Sequence, residues 1–302
     1  MAIRLGTNPI AWSNDDLHEL GGATPLETCL AEARQAGFAG IELGHKFPRE
    51  PAALAGVLKP HGLALVSGWY SSALLQRSPR EEIAAIAGHA ALLSALGCDV
   101  LILAETSNAI HGRQDAPLSA SPTLTPAEIT ALAHAVTEVG KHLSDLGLRL
   151  AYHHHLGTVV ETRDEIDAFM DAAGDQAGLL LDTGHAFAAG IEPAELAETY
   201  AGRVVHMHGK DVRAEVLARV RAEGMSFLDG VVAGMFTVPG DGCIDFGSVL
   251  SRLQGAGYDG WLVVEAEQDP ERADPLDYAR RGHDHLLGAA RQAGMAIAGE
   301  DL

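Results

Sequence analysis

Cysteine is scarce in this chain. Cys29, Cys98 and Cys243 are the only three in 302 residues, and no two stand in a CxxC pair. A chain this long with so few thiols is not built on a disulfide framework. Basic residues are also few: 21 Lys and Arg face 41 Asp and Glu, for a formal net charge of −20. Such a surface repels nucleic-acid phosphates and anionic membrane faces, and no Lys/Arg cluster offsets it. No apolar run approaches the roughly 20 residues that a membrane-spanning helix needs. The opening MAIRLGTNPIAW lacks a charged start followed by an apolar stretch, so no secretion signal is expected there. These absences point to a reduced cytoplasm as the setting and to a small molecule as the partner.

What the chain has is apolar content, 47% of it, enough for a large core and too much for disorder. Short apolar runs alternate with longer amphipathic ones. The short runs are Ile3–Ile10, Gly40–Gly44, Leu63–Tyr70, Val100–Thr106, Leu148–His155, Gly178–His185, Val204–Asp211 and Trp261–Gln268. They are mostly continuous rather than alternating, which suits parallel strands covered on both faces. Between them lie helix signals. Pro25 sits inside the start of one helix and Gly37 stops it; Thr125 with Glu128, and Thr162 with Glu165, have capping-box spacing. Strand–helix units in this number predict an α/β fold, a closed (β/α)8 barrel of one domain over residues 1–302. A doubly wound open sheet uses the same grammar, but no Gly-rich dinucleotide turn follows the first run. Two connections are long, Ser107–Leu124 and Val212–Asp245. Both follow strands and so belong to the catalytic face. The second, residues 212–245, reads as a lid or as an oligomer contact.

In such a barrel the active site forms where strands end. Those ends carry Glu42, Glu105, His153-His154-His155, Asp182 with His185, His206 and His208, and Glu265 with Glu267. Side chains alternate along a strand, so His153 and His155 share one face, as do His206 and His208. A lone histidine is more often a packing residue than a ligand, and Asp182 alone reads equally as a helix N-cap. The coincidence across strands five to eight favours a metal site of nitrogen and carboxylate ligands, suited to Mn²⁺, Co²⁺, Fe²⁺ or Zn²⁺. Trp12, Trp69 and Tyr70 could pack on an apolar ring face, or serve only the barrel rim. Asn14, beside Asp15 and Asp16, could bind hydroxyls or form a turn. Glu42 and Glu105 are candidate substrate contacts. The stretch PGDGCIDFGSVL lacks the spacing and the lysine of a phosphate loop and reads as a sharp turn before a helix capped by Asp245.

GFAGIELG, LLLDTGH, HMHGKD and PGDGCIDFGSVLSRLQGAGYDGWLVVEAEQDP together resemble the xylose isomerase-like superfamily of sugar isomerases and epimerases, which also includes apurinic endonucleases. NPIAWSNDD, ELGHKFP, YHHHLGTVVET and VEAEQDP look like its inosose dehydratase group. That resemblance implies a cytoplasmic enzyme of inositol catabolism. It would eliminate water from 2-keto-myo-inositol to give 3D-trihydroxycyclohexane-1,2-dione. It also implies a Mn²⁺ or Co²⁺ requirement and glutathione as an additional cofactor, although no residue marks a glutathione site. By motif, Asp182, His208 and Glu265 match the family's metal ligands. Strand five departs, because relatives carry Glu in a Glu-Asn-His run where this chain has three histidines; His153 stands at the ligand position. The implied chemistry is a metal-stabilised enediolate. Glu265 takes the metal and is a candidate base, and His153, His155, His185 and Lys46 are candidate acids. Rival readings are a keto-sugar or keto-inositol isomerase or epimerase on the same site, and a degenerate polyol-binding barrel. An apurinic endonuclease needs more metal ligands and a basic DNA face, which the charge opposes.

Overall fold

The computed structural model describes residues 2–299. Its barrel strands are β1 (Arg4–Thr7), β2 (Gly40–Leu43), β3 (Ala64–Ser72), β4 (Val100–Glu105), β5 (Arg149–His153), β6 (Ala177–Asp182) and β7 (Val204–Gly209). A short hairpin, β8 (Asp211–Val212) with β9 (Phe236–Thr237), intervenes before the last barrel strand, β10 (Trp261–Val264). The barrel closes through parallel pairs in the order β1-β10-β7-β6-β5-β4-β3-β2. The expected (β/α)8 barrel is present.

Helices α1 (Leu26–Ala36), α2 (Pro51–Leu58), α3 (Pro79–Ala95), α4 (Pro126–Asp145), α5 (Arg163–Ala172), α6 (Thr183–Ala188) and α7 (Pro193–Tyr200) follow the first six strands. After β8 come α8 (Ala214–Ala222) and α9 (Phe227–Ala233), then α10 (Phe246–Gly255) and α11 (Pro275–Gln292). Capping boxes start α4 at Thr125/Glu128 and α5 at Thr162/Glu165, as their spacing predicts, and a further one starts α3 at Ser78/Glu81. Pro25 is itself the N-cap of α1 rather than its first residue, and Gly37 ends that helix with φ 108°, a backbone region open to glycine.

Apolar side chains fill two layers. The large one lies between strands and helices, with Leu30, Ile86, Val136, Phe169 and Leu253 at its centre. The smaller one lies inside the barrel, where Val100, Ile102, Ala151 and Leu180 pack together, and Val66, Trp261 and Val263 form a second knot. This filled interior closes the tube and leaves only the strand ends for chemistry.

Several apolar runs overrun their strands at the C-terminal end. β6 stops at Asp182, not His185, because the Asp182 carboxylate caps α6 by accepting from the His185 amide at 2.8 Å. β10 stops at Val264, and β5 at His153. Residues past these ends are still buried, so hydropathy cannot see the last ladder bond. The PGDG turn also has a structural cause. Asp211 accepts the amides of Gly240, Gly242 and Ile244, each at 3.0 Å, so those N–H groups are spent on a carboxylate rather than left for a phosphate. Asp245 caps α10 through the Ser248 amide at 3.1 Å, as read from the sequence.

Candidate active site

Strand register sets the site. Asp182 lies directly across from His208 in the β6–β7 pairing, and His208 across from Val263 in β7–β10. His206, His208 and Lys210 then alternate inward, since residues two apart share a face. His206 Nε2 and His208 Nε2 stand 2.8 and 3.1 Å from the same oxygen of Glu42. Glu42 also accepts from Ser67 at 2.6 Å and Asn8 at 2.7 Å. Burial alone would raise its carboxyl; the His208 charge and the two histidine hydrogen bonds instead hold it well below the usual range.

Two histidines are set to offer a lone pair to one point. A carbonyl can only accept, so His153 Nδ1, 2.9 Å from the His154 carbonyl, carries the proton and leaves Nε2 bare. His208 donates from Nε2 to Glu42, which leaves Nδ1 facing Asp182 Oδ2 at 3.5 Å and Glu265 Oε2 at 2.6 Å. Asp182 Oδ2 lies 3.7 Å from His153 Nε2. Asp182 Oδ2 is buried and makes no hydrogen bond, and His208 Nδ1 is buried with the carboxylates of Asp182 and Glu265 before it. Thus Asp182 has two roles at once: Oδ1 caps α6, and Oδ2 faces the cluster. His153, Asp182 and His208 bring ligand atoms within 4.8 Å of one another.

Lys210 completes the cluster. It is fully buried, the only Lys or Arg so placed among the described residues. Its Nζ stands 2.7 Å from Glu265 Oε1, 3.3 Å from Glu267 Oε1 and 3.7 Å from Asp182 Oδ2. His185 Nε2 is 2.9 Å from that ammonium, and His185 Nδ1 is 3.2 Å from the Leu156 amide. A neutral imidazole accepts at one nitrogen only, and the contact to Lys210 is the shorter and is charge-assisted. Burial opposes charge on Glu265, but His208 and Lys210 outweigh it and hold its carboxyl far below normal. Burial also opposes charge on His208, yet Glu265 and Glu42 pull it well above the usual imidazole value, so a proton on Nδ1 balances these carboxylates until a cation displaces it and frees the lone pair. Glu267 is pushed up to about 8, mainly by burial, with Glu265 adding to the effect against Lys210. Three buried carboxylates, Glu42, Asp182 and Glu265, with the Glu267 carboxyl beside them, thus create a field that asks for positive charge at this point.

A cavity opens over the cluster. Glu42, Trp69, His153, His155, His208 and Glu265, all singled out in the sequence, line it. Trp69 stands edge-on to His153 and His155, with ring centroids 5.4 and 5.6 Å away. Asp182 and His185 lie behind that wall. Segment 212–245 packs over the same end, with the Phe227 ring 5.2 Å from His155 and Phe236 5.3 Å from His185.

Five other candidates lie away from the cavity lining. Lys46 Nζ donates to the carbonyls of Gly21, Gly22 and Thr24 at 2.7–2.9 Å, which ties down the β1–α1 loop. Trp12 is fully buried, with Nε1 bonded to Glu32 at 2.7 Å. Asn14 accepts the Asp16 and Leu17 amides, so it forms the turn. Tyr70 donates to Glu82 at 2.6 Å, on the face opposite Trp69. Glu105 accepts from Ser72, Leu74 and Ser107 and is used up in loop anchoring. In their place the cavity has Asn8, Asp16, His111 and Glu267. Lys210 is a site residue that the sequence reading does not include; the period-two step from His206 through His208 is the signal that points to it.

The family model of xylose isomerase-like TIM barrels matches residues 30–288. The chain belongs to that family. Among curated relatives, it is 47% identical to the rhizopine catabolism protein MocC of Rhizobium meliloti, over all of this chain and 93% of that one. It is 41% identical to the inosose dehydratase of Geobacillus thermodenitrificans, over 94% of this chain and 96% of that one. The expected resemblance to inosose dehydratases therefore runs nearly end to end. Among solved structures, the IolI protein with a bound zinc atom shares the fold at TM-score 0.68 and 17% identity, covering 96% of this chain and 99% of its own.

Proposed function

We propose that this enzyme is a divalent-metal-dependent hydro-lyase that removes water from 2-keto-myo-inositol to give 3D-trihydroxycyclohexane-1,2-dione. The observation that carries the reading is the convergence of buried ligand atoms: Asp182 Oδ2 and His208 Nδ1 face each other at 3.5 Å, with Glu265 Oε2 2.6 Å from that nitrogen and His153 Nε2 3.7 Å from Asp182 Oδ2. They occur in a chain 41% identical to an inosose dehydratase. Histidine nitrogens and carboxylate oxygens gathered this closely away from solvent fit a cation. His153, Asp182, His208 and Glu265 are the proposed ligands, with Glu42 behind His208 as the carboxylate that fixes its tautomer. Mn²⁺ or Co²⁺ is the proposed ion, and glutathione the proposed further requirement, both from the likeness to inosose dehydratases.

A bound divalent cation supplies Lewis-acid stabilisation of the charge that grows on the substrate's carbonyl oxygen. The chain's own groups move the protons. His155 Nδ1 lies 2.7 Å from the Leu156 carbonyl, so its Nε2 is a bare lone pair on the cavity wall. We assign it the α-proton, which it then passes to the departing β-hydroxyl to release water; the enol left behind moves its hydroxyl proton to the former β-carbon to give the dione. Glu265 and His153 belong to the ligand set, and His185 is held behind the wall by Lys210. Asn8 and Asp16, both on the lining, are placed to bind ring hydroxyls, and Phe227 and Phe236 to exclude water. A reduced cytoplasm suits the three unpaired cysteines.

The 47% identity to a rhizopine catabolism protein favours one second reading, in which the same site serves a compound of that catabolism. Incubation with 2-keto-myo-inositol, followed by detection of the dione chromophore, tests the proposal. A dione is expected. An isomerised keto-inositol with no water released assigns the site to isomerase chemistry instead.

A further inference from the structure

The first cation position has a neighbour of the same make. Glu265 spans the two: Oε2 reaches His208 at 2.6 Å, and Oε1 reaches Lys210 Nζ at 2.7 Å. Asp182 Oδ2 is shared as well, 3.5 Å from His208 Nδ1 and 3.7 Å from Lys210 Nζ. Glu267 Oε1 and His185 Nε2, at 3.3 and 2.9 Å, complete the surroundings of that ammonium. Asp182, His185 and Glu265 by themselves bring ligand atoms within 4.8 Å of one another, as do His155, His185 and Glu267. Bridging carboxylates between two cation positions are the hallmark of two-metal centres, whose ions stand about 3.5–4 Å apart. Here the second position holds the end of a side chain.

We infer that the Lys210 ammonium occupies a second cation-binding position, built from Asp182, His185, Glu265 and Glu267, and thereby keeps this centre mononuclear. The inference rests on the metal reading above for its first position only. Charge gives the reason for a lysine. The carboxylates around Nζ are buried, and leaving them uncompensated is costly. An ammonium neutralises them but offers no vacant coordination site, so it balances charge without adding a second Lewis acid. The Lys210 stem is fully buried, and the Phe236 ring closes over Nζ at 4.7 Å, which holds the ammonium among these carboxylates. Removing the amine leaves a carboxylate-rich socket in place, with its ligand side chains already gathered.

The test is manganese content and the manganese electron paramagnetic resonance spectrum of purified, reloaded protein. Wild type is expected to hold about one ion per chain, with the spectrum of an isolated ion even in excess manganese. Lys210→Ala is expected to hold about two, with the spectrum of a coupled pair, and Lys210→Ala/Glu267→Gln to return toward one. Lys210→Ser is run in parallel in case the alanine variant folds poorly. Wild type with two ions overturns the inference without any variant. One ion in both wild type and Lys210→Ala also overturns it, while leaving the proposed centre standing. No ion in wild type but one in Lys210→Ala supports the lysine's role and removes the proposed first centre. No ion in either removes both.

Discussion

The Lys210 stem runs across Gly184 so closely that a Cβ at position 184 would stand 2.5 Å from Lys210 Cγ and 2.7 Å from Cδ. Alanine normally favours a helix over glycine, but at this place in α6 it drives into the middle of a buried side chain. Gly184→Ala is therefore expected to lose about 1–3 kcal/mol in chemical denaturation, by overpacking. Turnover should fall at least about tenfold, equivalent to roughly 1.4 kcal/mol of barrier, as Lys210 shifts away from Glu265. Wild-type stability together with wild-type rate would show that the contact relaxes freely.

Asp182 offers a way to separate a cap from a ligand. Asparagine caps a helix as well as aspartate does, so Asp182→Asn keeps the Oδ1 bond to the His185 amide and loses the charge on Oδ2. Helix content by circular dichroism should be unchanged. Metal affinity, by titration, should fall by about 10-fold or more, since removing even an outer partner of a ligand costs that much. Undiminished affinity with full activity would reduce Asp182 to a cap.

Lys46 is expected to act on binding rather than on chemistry. Its ammonium holds the loop that carries Asp15 and Asp16, two residues of the cavity lining. Lys46→Met should cost about 1–3 kcal/mol in lost charged hydrogen bonds. It should raise KM several-fold, on the order of 1 kcal/mol of binding, with kcat nearly kept. A large drop in kcat at constant KM would return Lys46 to the candidate proton donors.

The aromatic residues should divide in the same way. Tyr70→Phe removes one hydrogen bond, to Glu82, and is expected to lose about 0.5–1.5 kcal/mol of stability, while Trp12→Phe removes the bond to Glu32 and also buried ring volume and is expected to lose about 1–3 kcal/mol, both with kcat/KM intact. Trp69→Ala removes the wall beside His153 and His155, and kcat/KM should fall by about 10-fold, or roughly 1.4 kcal/mol. Equal effects in all three would leave Trp69 as rim packing.

The barrel is readable because its signals are local: Thr125 with Glu128, and Thr162 with Glu165, mark helix starts by the chemistry of unpaired amides. The inward set His153, His208 and Glu265 is readable because strand periodicity is two. The same parity argues that adjacent Trp69 and Tyr70 face opposite ways, and only Trp69 reaches the cavity. Loop residues escape such reasoning. Lys46, Asn14 and Trp12 bond to main chain or side chains brought near by the path of the β1–α1 loop, which no period encodes. Lys210 escapes for a different reason: lysine is almost never fully buried unless paired, and its carboxylate partners lie on β6 and just past β10.

The central claim is elimination of water at a cation held where β5, β6, β7 and β10 end. Its most direct test is the rate of dione formation from 2-keto-myo-inositol by one preparation, measured as purified, after chelation, and after reloading with Mn²⁺ or Co²⁺. The expected result is a dione rate that collapses on chelation and returns on reloading. An undiminished rate in chelator, or no dione from the reloaded protein, would contradict the account.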